Sequence, residues 1–435
     1  MRVLMWIIIA ATAANSAQAQ LRLPGGPLPA LPTQKLTQAV GQTANSLDQL
    51  SDVRHLQIAN LIRTNPRTIA ADPHGNPIVR DELLAFSPSA RGLAAAQALG
   101  FRIVREQTIE DLDIRLLVLQ PPANIHIAKA LRRLRDADPV GTFDFNHIYL
   151  GGGNVSSQVP DAPPRENAAA TNTAPPASRV GLIDAGVDIA HPAFRDAVIH
   201  SWGCADRIVA SAHGTAVASL LIGRGTGFHG VVPGAELYAA NVYCDVPTGG
   251  AVDALAAAFS WLAKQRVAVI NVSLVGPDNA ALAGIVRALT SRGYLLVAAV
   301  GNDGPAAPPL YPASYPRVVG VTAVDAHRRV LIEAARGKQV MFAAPGADVV
   351  AADGAGKYSA VRGTSFAAPI VAGLLAQTLS TPDLNAGDAA VDALARRAID
   401  LGPPGRDLTY GFGLVGAERI SASKDETPTD GRINR

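Results

Sequence analysis

Four polar residues in this chain stand where chemistry could be done: Asp184, His213, Asn302 and Ser365. Ser365 lies in Gly363-Thr364-Ser365-Phe366-Ala367-Ala368-Pro369, after the turn Asp353-Gly354-Ala355-Gly356 and before an apolar run at 370–376. A glycine just before the Thr-Ser pair lets the backbone turn sharply and approach a ligand. A run that is apolar on all sides predicts a buried helix. Ser365 then stands at a helix N-terminus, where free N–H groups and the dipole favour negative charge. That suits a nucleophile that becomes an oxyanion centre. Taken alone, the stretch reads equally as a serine capping a core helix. His213 precedes Gly214 and a series of small residues, and its ordinary pKa near neutrality suits a general base. His55, His74, His126, His147 and His229 lack such a setting and read as structural. Asp184 follows the apolar run 180–183 directly and could orient a base, or simply serve a turn. Asn302 ends the run 295–300 through Gly301, and its amide could donate to developing negative charge, or it too could serve a turn. The order Asp, His, Ser is one of the chain orders that a hydrolytic triad takes.

The surrounding pattern predicts how these residues are held. Mostly apolar runs at 180–183, 237–242, 267–272, 295–300 and 318–324 alternate with helical patterns at 214–222, 252–264 and 280–290. Strands that are apolar throughout, alternating with helices, imply a parallel sheet covered on both faces. In such sheets functional groups gather at the carboxyl ends of strands. Upstream, 78–86, 101–107, 114–119 and 142–149 read as strands, with helices at 89–99 and 125–134. That is a small β-α-β-β-α-β unit over 78–150. It holds no nucleophile, metal cluster or phosphate loop. Between the two, 151–178 is rich in Gly, Pro, Ala, Asn and Ser and reads as a flexible linker. Residues 20–77 have no assigned role, although 34–63 suits one or two amphipathic helices. Residues 421–435 are polar and read as a disordered tail.

Composition narrows the function classes. Of 435 residues, 48% are apolar, enough for a sizeable core. Lys and Arg number 38 against 36 Asp and Glu, so the mixed net charge of +2 points neither to nucleic acid nor to an anionic membrane. Arg2, the apolar stretch 3–14 and Ala17-Gln18-Ala19 read as an export signal over 1–19, with an apolar segment too short to span a bilayer. No other run reads as a membrane span. The mature chain is therefore expected outside the cytoplasm, whether in a periplasm, at a cell surface or in the medium. There the cysteines, Cys204 and Cys244, are expected to form a disulfide, the other reading being two separate buried thiols.

Four segments together resemble the subtilisin-like serine proteases: Leu182-Ile183-Asp184-Ala185-Gly186-Val187-Asp188, His213-Gly214-Thr215-Ala216-Val217-Ala218, Ala299-Val300-Gly301-Asn302-Asp303-Gly304-Pro305, and 363–369. Lesser segments at 230–235, 270–274, 311–316 and 343–346 extend the resemblance over about 179–420. It implies an α/β fold, a parallel-sheet catalytic domain with helices on both faces, preceded by a small α+β pro-domain, here 78–150. Ser365 would be the nucleophile, His213 the base, and Asp184 the group that holds the imidazole. Asn302 and the Ser365 N–H would form the oxyanion hole. Ser273, Leu274 and Val275 would line the substrate channel, with Gly249 and Gly250 on its opposite edge and Leu310 near the specificity pocket. The implied partners are protein or peptide substrates, and the pro-domain as inhibitor; no cofactor is implied. The implied product is a serine endopeptidase made as a zymogen and cut near Leu150-Gly151. Two alternatives remain, a silent binding module of the same fold and an esterase-like hydrolase with the same triad.

The departures from the family are local. Phe366 stands where the family typically has Met, which removes a common oxidation target. Residues 223–230 contain no Asp, Glu or Asn, so no calcium is expected in that loop. The interval from Asp184 to His213 is short, and a disulfide could brace the side where loops are trimmed. Val275 and Leu310 are larger than usual, which suggests a small or medium uncharged residue before the cut bond.

Overall fold

The computed structural model describes residues 46–152, 154–155, 178–225, 228–354 and 356–419. The expected export signal at 1–19, most of the linker and the tail at 421–435 lie outside the described residues.

The N-terminal unit begins with helix α1 (Ser46–Thr64) and strand β1 (Ile69–Ala71). It continues through β2 (Pro77–Phe86), α2 (Ala90–Ala98), β3 (Arg102–Ile109), β4 (Ile114–Gln120), α3 (Ile127–Ala137) and β5 (Thr142–His147). The strands form one antiparallel sheet in the order β1-β2-β4-β3, with β5 also paired to β2. The unit starts upstream of residue 78. Ile69–Ala71 pairs with the start of β2, and Ile69 is wholly buried. A three-residue strand is too short for alternation to betray it. Alternation is plain along β4: Leu117 and Leu119 pack under α2 and α3, whereas Leu116 and Val118 face the other way. In α3 the buried Ile127, Ala130, Leu131 and Leu134 fall on one helical face.

Two short strands follow, β6 (Leu150–Gly151) and β7 (Asn154–Val155). The start of the segment expected to be a flexible linker is thus held in strand pairing. The cause is tertiary: β6 pairs with a strand of the larger unit, described next, and its composition alone gives no sign of this.

The larger unit runs through β8 (Arg179–Asp184), β9 (Ile199–Trp202), α4 (Ala212–Ile222), a small hairpin of β10 (Arg224–Gly225) and β11 (Phe228–His229), β12 (Glu236–Asn241), α5 (Val252–Lys264), β13 (Val269–Val272) and β14 (Leu274–Val275). It continues through α6 (Ala280–Ser291), β15 (Leu295–Ala299), β16 (Val319–Val324), β17 (Val340–Pro345), β18 (Ala347–Ala352), β19 (Tyr358–Arg362), α7 (Thr364–Ala376) and α8 (Leu384–Arg397). Seven strands form a parallel sheet in the order β17-β16-β15-β13-β8-β12-β9. Helices α4 and α7 pack on one face and α5 and α6 on the other. Both faces are covered, which is why the strands are apolar along their length.

The two units share a core. Leu84, Leu116 and Val118 of the small sheet pack into the cluster under α5 and α6. Polar groups fix the register. Asn279 caps α6, its Oδ1 accepting from the Ala281 and Leu282 N–H groups, while its Nδ2 donates to the Phe145 carbonyl at 2.9 Å. Asp144 accepts from the Ala280 N–H at 2.7 Å, and Arg105 pairs with Asp253 in the first turn of α5 at 2.7 Å. Cys204 and Cys244 are joined by a disulfide. It ties the turn after β9 to the turn after β12, the neighbouring strand. Among the described residues no helix is long and apolar enough to cross a membrane.

Candidate active site

Asp184 is the last residue of β8, near the centre of the parallel sheet, and is buried. His213 lies in the first turn of α4, and its Nδ1 is 2.8 Å from Asp184 Oδ1. Asn302 follows β15 through Gly301, whose φ of 103° lies in the left-handed region. Ser365 is the second residue of α7. Gly363 precedes the helix with a φ of 135°, a conformation that only glycine adopts without strain. Four distant segments thus converge at the carboxyl edge of one sheet.

The start of α7 is held by a chain of hydrogen bonds that begins with Pro369. Proline has no N–H, so the Ser365 carbonyl four residues back loses its usual helical donor. Ser273 Oγ supplies the missing bond, donating to that carbonyl at 3.0 Å, and Asn271 Nδ2 donates to Ser273 Oγ at 2.8 Å. Asn302 Oδ1 accepts from the Thr364 N–H at 3.0 Å, and Thr364 Oγ1 accepts from the Gly301 N–H at 3.3 Å. With Oδ1 so engaged, the Asn302 amide nitrogen is left buried and, among the described residues, without a partner. A buried donor without an acceptor is costly, and it fits a site awaiting negative charge.

The chain itself enters this site. Ile148 bridges to Ala251, and the Tyr149 N–H donates to the Gly250 carbonyl at 2.8 Å. Strand β6 pairs antiparallel with β14, Leu150 opposite Val275 and Gly151 opposite Leu274. Beyond it, β7 pairs with β19. Residues 148–152 and 154–155 therefore lie along the cleft in extended pairing, the backbone mode by which peptides add to sheet edges. The Gly152 carbonyl oxygen accepts a short hydrogen bond from Ser365 Oγ and lies 3.3 Å from His213 Nε2. The carbonyl at the serine is therefore that of Gly152, and not one at Leu150-Gly151, because the strand register with β14 advances the chain by that much.

Both His213 nitrogens thus face acceptors, a carboxylate and a carbonyl. Burial pulls the imidazole pKa down, but the Asp184 charge, the Asp184 hydrogen bond and the Gly152 carbonyl together hold it above its ordinary value of 6.5. The Phe366 ring packs beside the imidazole, with centroids 5.2 Å apart.

The other expected channel residues divide. Leu274 and Val275 pair with the chain in the cleft, and Gly250 backs onto the Tyr149 carbonyl. Gly249 packs instead against the Tyr243 backbone, so its missing side chain serves a turn and does not open the channel. Leu310 lies over Gly301, where an added Cβ would come within 2.6 Å of it. Sequence reasoning missed Tyr149, whose buried ring lies on Gly276 with its hydroxyl donating to the Pro277 carbonyl. It also missed Tyr243, whose hydroxyl donates to the Tyr149 carbonyl at 2.9 Å. An aromatic residue a few positions before a run of glycines was the available signal for Tyr149.

A family model described as the subtilase family matches residues 177–413. The chain belongs to the subtilase family. Subtilisin DY of Bacillus licheniformis is 32% identical over 249 residues, covering 55% of this chain and 89% of that protein. Subtilisin E of Bacillus subtilis strain 168 is 31% identical over 254 residues, covering 55% of this chain and 64% of that protein. The minor extracellular protease Epr of the same strain is 30% identical over 244 residues, 54% of this chain but only 37% of Epr. The chain thus spans little more than a third of Epr and just under two thirds of subtilisin E. Fervidolysin from Fervidobacterium pennivorans, a keratinolytic enzyme related to subtilisin, shares the fold with a TM-score of 0.63 at 20% identity, over 79% of this chain and 61% of that one. The described subtilase fold accounts for the convergence of Asp184, His213, Asn302 and Ser365, since each stands at a strand end or a helix start.

Proposed function

We propose that this subtilase is an exported serine endopeptidase, made as a zymogen that cuts itself after Gly152. The observation that carries the reading is the Gly152 carbonyl at the Ser365 hydroxyl, in a strand paired with the cleft edge. Ser365 Oγ attacks the Gly152 carbonyl carbon. His213 Nε2 takes the hydroxyl proton and then gives it to the departing Gly153 amine, while Asp184 holds Nδ1–H and offsets the imidazolium charge. The carbonyl oxygen turns from Nε2 toward Asn302 Nδ2 and the Ser365 N–H as it gains charge. The position of the Asn302 amide supports this, since it lies 3.1 Å from where a Gly152 Cβ would stand. Water then hydrolyses the acyl-enzyme by the same steps. Residues up to Gly152 form the inhibitory pro-segment, with Tyr149 as its anchor in the pocket floored by Gly276. The apolar N-terminus of the chain and the name of the extracellular relative Epr support export.

Mass spectrometry of the purified full chain tests this. The active protein should be cut between Gly152 and Gly153, and Ser365→Ala should stay intact. Cleavage there in pure Ser365→Ala would rule out self-processing. A fluorophosphonate should label Ser365 in the processed protein and fail in His213→Ala; labelling of neither would favour a silent binding module.

A further inference from the structure

Helix α1 lies upstream of the sheet of the small unit, yet it reaches the active site. Arg54 Nε is 3.2 Å from Asp303 Oδ2, and Arg54 Nη2 donates to the Val275 carbonyl at 3.3 Å. The two side chains are only 13% and 16% exposed, so this is not a loose surface pair. Asp303 directly follows Asn302, and Val275 is the cleft strand residue opposite Leu150.

The location matters because of what Gly152 lacks. A Cβ on Gly152 would stand 3.1 Å from Asn302 Nδ2 and 4.0 Å from Val275 Cγ2. Ser365 Oγ stands 3.6 Å from the same point, so a side chain there would leave the backbone beside the serine, Asn302 and Val275; Arg54 is held by the residue after Asn302 and by the Val275 carbonyl. The chain in the cleft has glycine at that position, and a guanidinium from another element stands beside it. Leu310 lies on Gly301, the residue before Asn302. Burial pushes the Asp303 carboxyl above the ordinary carboxylate range, against the pull of the Arg54 and His55 charges. A carboxylate so placed is stable as an anion only with a cation beside it.

We infer that Asp303 and the Val275 carbonyl form a guanidinium-binding pocket, which Arg54 fills as an internal ligand and which takes an arginine side chain of a substrate immediately before the cut bond once the N-terminal piece has left. This rests on the protease reading above and adds its substrate class. A planar guanidinium satisfies a carboxylate and a carbonyl together, whereas an ammonium is a single point charge, so arginine is favoured over lysine. The expectation of an uncharged residue weighed the bulk of Val275 and Leu310 and left out Asp303. Self-cleavage after glycine and cleavage of substrates after arginine are compatible, because Arg54 fills in the precursor what Gly152 leaves open. Helix α1 then acts as a second inhibitory contact beside the strand in the cleft.

The test uses the self-processed enzyme and the peptides Tyr-Leu-Gly-Arg-Gly and Tyr-Leu-Gly-Leu-Gly, which carry the residues 149–151 of this chain. The ratio of kcat/KM for the arginine over the leucine peptide should exceed about 10 and fall at least about 10-fold in Asp303→Asn, since one buried charge-assisted contact is lost. Agmatine, a small guanidinium, should slow fluorophosphonate labelling of Ser365 in the wild type and not in Asp303→Asn. A leucine peptide cut as fast as the arginine peptide, or agmatine without effect on a Ser365 that does label, overturns the pocket and leaves the protease reading standing. Absence of labelling overturns the protease reading itself, and the pocket with it. In the precursor, Arg54→Ala should raise residual activity after self-cleavage more than Arg54→Lys does. Equal effects would count against the fork-like contact.

Discussion

His213 has a carboxylate on one side and the carbonyl of its own chain on the other, and this pairing sets how the site responds to pH. A base must be neutral to accept a proton, so turnover should rise with pH through an imidazole pKa that stands above 6.5. In Asp184→Asn the charge that opposes burial is gone, and the midpoint of the pH profile should move down. Turnover should also fall on the order of 10⁴-fold, as the wrong tautomer costs in other Ser-His-Asp enzymes. A kcat profile of the processed enzyme from pH 5 to 9 checks both parts, and an unmoved midpoint would deny Asp184 its electrostatic role. The same raised value means that imidazolium contacts stabilise the precursor below pH 6.5 and are lost as pH rises through the folded pKa. At this scale the sequence was informative where chemistry demands a residue type. Type, order and glycine neighbours marked Asp184, His213, Asn302 and Ser365 as candidates, and the fold brings these four together. Arg54 and Asp303 were not so marked, because Arg54 meets the strand residue Val275 across 221 positions of sequence and carries no local signal of the contact.

Helix α7 shows how one element both carries a reactive group and depends on another for its geometry. Its first turns are wholly buried, and Pro369 deprives the Ser365 carbonyl of its helical donor. Ser273 fills that vacancy from the end of β13, and so links the strand beside β6 to the turn that holds Ser365. Ser273→Ala should leave a buried carbonyl unpaired and cost about 1–3 kcal/mol of unfolding free energy. Ser273→Thr keeps the hydroxyl and should lose less. Denaturant unfolding of both in the Ser365→Ala background measures this without self-digestion, and an unchanged midpoint for Ser273→Ala would show that water replaces the bond. The alternating apolar runs and helical patterns made five strands of the parallel sheet and α4 to α6 legible within a few residues, but not β9 or β17. Among the strands that escaped, β1, β6 and β7 have too few residues to show a period, and only their partners make them strands. The glycine-rich stretch after Leu150 reads as flexible because composition reports the unpaired chain, whereas in the fold β14 and β19 supply the missing hydrogen bonds.

The molecule as a whole is two units locked by a shared apolar core and a few buried polar groups. Asp72 is the most telling of these. Its Oδ2 accepts from His147 Nε2 at 3.1 Å and from Asn76 Nδ2 at 2.9 Å, and its Oδ1 accepts from the His74 and Asn76 N–H groups. The other nitrogen of His147 is 2.9 Å from Asn279 Nδ2, the residue that caps α6 of the larger unit. The line from the β1–β2 turn to α6 of the larger unit is therefore continuous. Burial raises the Asp72 carboxyl, but the His147 and Asn76 hydrogen bonds outweigh it and hold the pKa at about 2, against 3.8 for a free carboxyl. A folded value below the unfolded one stabilises the fold above pH 3.8 and loses that contribution as pH falls toward 2. The shift corresponds to about 2 kcal/mol, at roughly 1.4 kcal/mol per unit. The Ser365→Ala precursor should lose this increment between about pH 4 and pH 2, measured by denaturant unfolding across that range. Asp72→Asn should be less stable at pH 7 by a similar amount and flatter in acid. Equal slopes for the two proteins would place the acid sensitivity in other carboxylates. A steeper loss in the parent than in Asp72→Asn would make the Asp72–His147–Asn279 line one of the contacts that hold the two units together.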